Sequence, residues 1–443
     1  MNVIVSNTVA LNGGDAAILF AIRRVLWESF GDRFNLTVFD SQPETASRLY
    51  PELDFRQLLY RRATWDSQIN EIENRYFRFL LRKMSRWINP FRMWIALYVW
   101  RWIGTQPAQA LLTEAEWNDL NTYASADIII STGGTYLVDY YFLEPRIFDY
   151  QVAHFLGKPL VFYTQTAGPF YTPRYRRNLQ LVMNRARLIL LRDQESIDNL
   201  KEIGVNETPL VKAADAVFSL ATPSELSTAK ERSFPQDGRL SVAVSVRDWP
   251  HFQTCSHEEG MQRYMESVGS AVIRLVKRHG AAVTFVSTCQ GVSEYRTDDS
   301  DIAFQIVNSL PKEIQESVAV DAAFHAPIDL KNHLKTYDFV IATRMHMAIL
   351  SLTAGTPVLP IAYESKTTQL FRKMGLASWS TDIETINSSF QKRVDQFIEQ
   401  IDNLRDQMMC GTEQERREAK VAAKQLREIF HEIEMPKKST THG

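Results

Sequence analysis

Asp338-Phe339-Val340-Ile341-Ala342-Thr343-Arg344-Met345-His346 is an apolar run that ends on a cation and an imidazole. Met347–Ala354 follows with a helical pattern, Ala354-Gly355-Thr356-Pro357 turns the chain, and Val358–Ile361 is a second apolar run. Neither run alternates apolar with polar, which is how strands covered on both faces read. A strand, a helix and a second such strand make one βαβ unit, and the same grammar extends outward in both directions. The runs Val3–Val5, Leu36–Phe39, Ile128–Ile130, Leu160–Tyr163, Leu188–Leu191, Val242–Val246 and Val283–Val286 are separated by segments of helical spacing. Among these are Asp15–Ser29, Arg174–Arg187, Glu195–Ile203 and His257–His279. Repeated alternation of this kind predicts an α/β fold with parallel sheets.

A length of 443 residues suits two domains with a cleft between them. The apolar-poor stretch 223–239 reads as the linker between an N-terminal domain, 1–222, and a C-terminal one, 240–390. The charged stretch 391–435 has helical spacing and either packs back across the domains or stays solvated as an amphipathic helix. Residues 436–443 read as a disordered tail.

Lys and Arg number 50 against 52 Asp and Glu, so the chain lacks the basic excess of a nucleic-acid binder. Cys255, Cys289 and Cys410 are far apart, which fits a reducing compartment and excludes a cysteine-based zinc site. The chain starts on a strand with no basic-then-apolar leader, and it has no long uninterrupted apolar stretch. The expectation is a cytoplasmic protein that does not span a membrane.

The stretch 64–120 reads as an insertion in the first domain. Between Arg75 and Trp102 it holds seven Arg or Lys, no acidic residue, and Trp87, Trp94, Trp100 and Trp102. That composition suits a helix lying at an anionic membrane surface, a peripheral contact at the inner face of the cell membrane. A helical hairpin packed on its own domain, or on a second copy in a homo-oligomer, has the same composition.

Polar and glycine-rich segments follow many of the predicted strands, where ligands bind in open α/β sheets. Asn12-Gly13-Gly14-Asp15 precedes the first helix; its glycines let a ligand approach, while Asp15 equally suits an N-cap. Gly133 and Gly134 follow one strand, and Gln165, which both donates and accepts, follows another. Arg192 and Arg247 close strands with cations suited to phosphate or carboxylate. Arg344 and His346 combine fixed charge with a group that titrates near neutral pH. Tyr363, Glu364 and Lys366 follow the next strand, and Asp215 stands where the rim of the cleft is expected.

This ordered set resembles the polysaccharide pyruvyl transferase family from about residue 3 to residue 376. Its most specific element is Arg344-Met345-His346, where Leu is usual in the middle, followed by Gly355-Thr356-Pro357 and Tyr363-Glu364-Ser365-Lys366. The pair Gly13-Gly14 stands where one glycine is usual. The resemblance implies a GT-B-like fold, two Rossmann-like domains around the active-site cleft. It implies phosphoenolpyruvate as donor and a sugar of a cell-surface or exopolysaccharide precursor, free or lipid-linked, as acceptor. The product would be a pyruvate ketal, with phosphate released. Arg192, Arg247, Arg344 and Lys366 are then the donor-binding candidates. His346, Arg344 and Asp15 are the catalytic ones, and Asn12, Gly13, Gly14, Gly133, Gly134, Gln165, Tyr363 and Glu364 line the acceptor side. No metal and no cofactor beyond that co-substrate is expected. Two other readings stay open: a GT-B-like glycosyltransferase using a nucleotide sugar, and a non-catalytic partner in glycan assembly.

Overall fold

The computed structural model describes residues 1–64 and 74–434. The expected disordered tail, 436–443, lies outside them, as does part of the 64–120 insertion. The described residues form two compact units. One comprises Met1–Ala10, Val25–Ala213 and Ala422–Gly443, and the other Leu11–Arg24 and Ala214–Val421.

The first unit is built on the parallel strands β1 (Asn2–Thr8), β2 (Asn35–Asp40), β3 (Asp54–Gln57), β4 (Ile128–Ser131), β5 (Gly134–Leu137), β6 (Leu160–Ala167), β7 (Leu188–Leu191) and β8 (Leu210–Lys212). Their order is β3-β2-β1-β4-β6-β7-β8, with β5 paired to β6. The second unit carries β9 (Ser241–Ser245), β10 (Ala282–Phe285), β11 (Val318–Val320), β12 (Phe339–Ala342), β13 (Val358–Ala362) and β14 (Thr381–Asp382). Their order, β11-β10-β9-β12-β13-β14, is that of a Rossmann sheet. Ile128–Ser131, Leu188–Leu191, Phe339–Ala342 and Val358–Ala362 are buried at every position, the reason they read as unbroken apolar runs.

In the second unit the strand order reverses between β9 and β12, which pair from Phe339–Val242 to Ala342–Ser245. A reversal of strand order is the place where ligands bind in open α/β sheets, outside the carboxyl ends of the strands. Arg247 lies on the loop after β9; Arg344 ends the loop after β12, and His346 stands in the first turn of the helix that follows it.

Three local features sharpen the sequence reading. The expected linker 223–239 begins with the helix Pro223–Lys230, started by a Thr222–Glu225 capping box with proline in the first turn. Leu226 and Ala229 are buried, and Glu225 pairs with Lys331 at 2.8 Å and with Lys335. Leu11–Arg24 belongs to the second unit although β1 lies in the first, and the residues from Ala422 onward return to the first. There Phe430 meets Phe30 with ring centroids 5.0 Å apart, and Arg427 Nη2 pairs with Glu28 at 2.7 Å. The insertion contributes the helix Arg75–Trp102, whose Met93, Ala96 and Leu97 are buried in the core of the first unit.

Candidate functional site

β12 ends at Ala342, and Thr343 N donates to Ser245 O across the reversal at 3.0 Å. Arg344 then occupies the N-cap position of the helix Met345–Thr353 without capping it through its side chain. The guanidinium instead meets Asp299, with Nε to Oδ2 and Nη2 to Oδ1 both 2.7 Å. Asp299 is 1% exposed and Arg344 9%. Burial works against the charged guanidinium, and the Asp299 carboxylate more than offsets it, holding the arginine well above its ordinary range. One edge of Arg344, expected to grip the donor, is therefore committed to a protein carboxylate.

His346 stands in the first turn of the same helix. Its Nε2 lies 3.5 Å from Asp215 Oδ2. Asp215 is itself held in place, because its Oδ1 accepts from Val217 N at 3.0 Å and caps the short turn Ala216–Leu220. On the other side of the ring lies Gly14: a Cβ added there would sit 2.5 Å from His346 Nδ1. Gly13 is constrained differently. Its N donates to Thr288 O at 2.9 Å, and a Cβ would come within 2.5 Å of that same oxygen. Both glycines thus permit close approach.

The helix Gly13–Phe30 is capped by Asn12, whose Oδ1 accepts from Gly14 N at 3.0 Å. Asp15, which the sequence offered as N-cap, is instead an acid in the first turn. Asn12 Nδ2 also donates to Tyr295 OH at 3.4 Å. Burial raises the Tyr295 hydroxyl well above its ordinary range, helped by Cys289 and Asp15 beside it. Burial likewise pushes the Cys289 thiol up to about 12, with Arg344, Asp299, Asp15 and Arg247 all near enough to act on it.

Arg247 lies 4.1 Å from the Tyr363 ring centroid and 5.1 Å from that of Trp249, whose rings are 4.7 Å apart. Its Nε donates to Asp248 O at 3.0 Å. Stacking fixes the plane of a guanidinium without consuming its N–H groups. Lys366 pairs with Glu364 at 2.5 Å and stands 5.9 Å from the Tyr363 centroid. Glu364 is thus the counter-ion of Lys366.

The second unit therefore gathers Asn12, Gly13, Gly14, Asp15, Arg247, Arg344, His346, Tyr363, Glu364 and Lys366 on the segment Leu11–Arg24 and on the loops and helix starts following β9, β12 and β13. Gly133, Gly134, Gln165 and Arg192 belong to the first unit. A Cβ on Gly133 would meet Tyr163 O at 2.7 Å, and Gly134 has φ +134°. Gln165 Nε2 donates to Thr132 O and, at 3.3 Å, to Ser131 Oγ, while its Oε1 is buried without a partner among the described residues. Arg192 N donates to Gln165 O at 3.0 Å, and its neighbour Asp193 caps the helix Gln194–Glu202 through Ser196 N at 2.7 Å.

Sequence reasoning missed Asp299, Tyr295 and the role of Asp215. Asp298-Asp299-Ser300 carries a helix-start signal, and Asp298 does cap Ser300 N at 2.9 Å. Nothing in the tripeptide marks the second carboxylate as the one turned inward.

A model of the polysaccharide pyruvyl transferase family matches residues 12–365. The amylovoran biosynthesis protein AmsJ of Erwinia amylovora is 25% identical over 295 residues, which are 66% of this chain and 70% of AmsJ. Among solved structures, HepE of Anabaena in complex with UDP superposes with a TM-score of 0.53 at 12% identity, over 97% of this chain and 100% of HepE. A putative UDP-N-acetylglucosamine 2-epimerase of Listeria monocytogenes gives 0.54 at 12% identity, over 98% of this chain and 96% of its own. At that identity the likeness is one of fold, and it is the GT-B-like α/β fold with two parallel sheets. With the match running from the Asn12 cap to the helix after β13, the chain belongs to the polysaccharide pyruvyl transferase family.

Proposed function

We propose that this transferase takes the pyruvyl group of phosphoenolpyruvate and places it, as a ketal, on a sugar of a cell-surface or exopolysaccharide precursor. The observation that carries the reading is the His346–Asp215 pair, 3.5 Å apart, with Gly14 packed against the other ring nitrogen. Asp215 faces one nitrogen of the ring and Gly14 lies directly against the other, so both edges of the imidazole are positioned by neighbours.

The chemistry asks for one movable proton and several fixed cations. Proton delivery to the methylene carbon of phosphoenolpyruvate makes the adjacent carbon electrophilic. A sugar hydroxyl adds there and gives up its proton; the carbon–oxygen bond to phosphate breaks, and a second hydroxyl closes the ketal. One proton moves to carbon, two leave the sugar, and the balance departs on hydrogen phosphate. His346 is suited to exchange these protons, with Asp15 as the group for the second hydroxyl. Arg247 and Lys366, both in the second unit, are the cations for the donor's phosphate and carboxylate. Arg344 contributes the edge that Asp299 leaves over.

The test separates donor from chemistry. Phosphoenolpyruvate should raise the thermal midpoint of the wild type and of His346→Ala alike, and UDP-glucose should not. With an oligosaccharide acceptor, His346→Ala and Asp215→Asn should release phosphate roughly 10²–10⁴-fold and roughly 10–100-fold more slowly, respectively. Stabilisation by UDP-glucose in place of phosphoenolpyruvate would refute the donor. Unchanged phosphate release by His346→Ala would refute the proton carrier.

A further inference from the structure

The helix Arg75–Trp102 buries one side in the first unit and leaves another uncovered. Ile88, Phe91, Ile95, Tyr98 and Trp102 are between 41% and 75% exposed, and Ile103 just beyond them is 72% exposed. Their spacing of three, four, three and four residues puts them in one stripe along the helix. A contiguous apolar stripe of this kind on a folded surface marks a contact. The opposite face is accounted for: Met93, Ala96 and Leu97 are fully buried, and Trp94 meets Phe148 and Phe155 with centroids 5.8 and 5.7 Å apart. Apart from Tyr98, whose ring meets Phe155 with centroids 5.0 Å apart, the stripe is surplus to the core.

Charge identifies its occupant. Between Arg75 and Trp102 the chain has seven Arg or Lys and no Asp or Glu. Two of these serve the fold: Arg92 Nη2 pairs with Glu116 at 2.6 Å, and Arg101 lies 5.4 Å from the Phe155 ring centroid. The other five, Arg75, Arg78, Arg82, Lys83 and Arg86, precede the stripe along the helix. A second copy of this helix would bring more cations and no carboxylate to answer them. An anionic lipid surface answers both features, with headgroups for the basic end and the acyl boundary for Ile, Phe, Tyr and Trp. No helix among the described residues is long and apolar enough to cross a membrane, which leaves this one to lie along it.

We propose that the Ile88–Trp102 stripe seats the enzyme on an anionic membrane surface. This does not depend on the identity of the pyruvyl donor. Full-length protein is sedimented with vesicles of phosphatidylcholine alone or of phosphatidylcholine mixed with phosphatidylglycerol. The wild type should pellet with the mixed vesicles only, and high salt should release it. An Ile88→Ser, Phe91→Ser, Trp102→Ser variant, altered only at exposed positions, should keep its thermal midpoint and partition at least about 10-fold less. Failure of the wild type to bind mixed vesicles, equal binding to neutral ones, or unchanged binding by the variant would each overturn the proposal. So would a wild-type dimer that the variant splits, because the stripe would then be occupied by a second copy.

Discussion

Replacing Asp299 by leucine tests the claim that its carboxylate is what allows Arg344 to be charged inside the second unit. The pair makes two N–H···O contacts of 2.7 Å, with Asp299 1% and Arg344 9% exposed, so water offers the arginine little substitute. Removing one partner of such a pair leaves an uncompensated charge and costs about 3–5 kcal/mol. The Ser287 hydroxyl, which also donates to Asp299, would lose its acceptor as well. With a urea dependence of about 3 kcal/mol per molar, the affected unfolding midpoint should fall by roughly 1–2 M. The second variant, Asp299→Leu with Arg344→Met, removes both charges and exchanges them for apolar volume, which is often neutral. It should be more stable than Asp299→Leu alone, although it carries one more substitution. Equilibrium urea unfolding followed by far-UV circular dichroism reads both, taking only the transition that moves, since each unit has its own core. A single variant within about 0.3 M of the wild type would refute the reasoning, as would a double variant losing the sum of the two singles.

Gly14→Ala should slow turnover by about 10²-fold at a modest cost in stability, because the new methyl carbon would sit 2.5 Å from His346 Nδ1 and 2.9 Å from its Cβ, so the ring and the start of its helix must shift. Comparing kcat with the binding of phosphoenolpyruvate checks this; a loss confined to binding would count against it. Asp149, buried in the first unit, has its carboxyl pushed up to about 7 by burial, against an ordinary value of 3.8. The folded state thus keeps a proton that the unfolded chain loses, and stability from this group falls as pH rises from about 4 to about 7. At about 1.4 kcal/mol per pH unit the loss approaches roughly 4 kcal/mol, and it levels off above pH 7. Asp149→Asn has no such slope, so its stability relative to the wild type should rise between pH 5 and 8; parallel curves would exclude the effect.

What the sequence made legible follows from how the signals arise. Val358–Ala362 and Leu188–Leu191 each have a strand on either side and are buried at every position, and their apolar runs announce them. Val318–Val320 and Thr381–Asp382 close the two edges of the second sheet, are short and half-exposed, and give no such run. The site divides in the same way. His346 and Arg247 were visible because a polar residue at the end of an apolar run stands out. Asp215 and Asp299 were hidden because their partners are 131 and 45 residues away, and pairing over such distances is written in the fold rather than in any local pattern.

The double glycine after Asn12 shows why a motif needs its surroundings before it can be assigned a role. Read as a sequence, Gly13-Gly14 suggests one flexible loop for one ligand. The two positions in fact solve separate problems: Gly13 lets the helix start touch Thr288 O, and Gly14 lets the His346 ring pack against it. Alanine at position 13 would press on backbone, which cannot turn aside, and its cost should fall on stability. Alanine at position 14 presses on His346 itself, on the ring and at 2.9 Å on its Cβ, and its cost should fall mainly on catalysis. Opposite outcomes at adjacent glycines would tie the second glycine of the motif to the imidazole, and through it to the proton that pyruvyl transfer has to move.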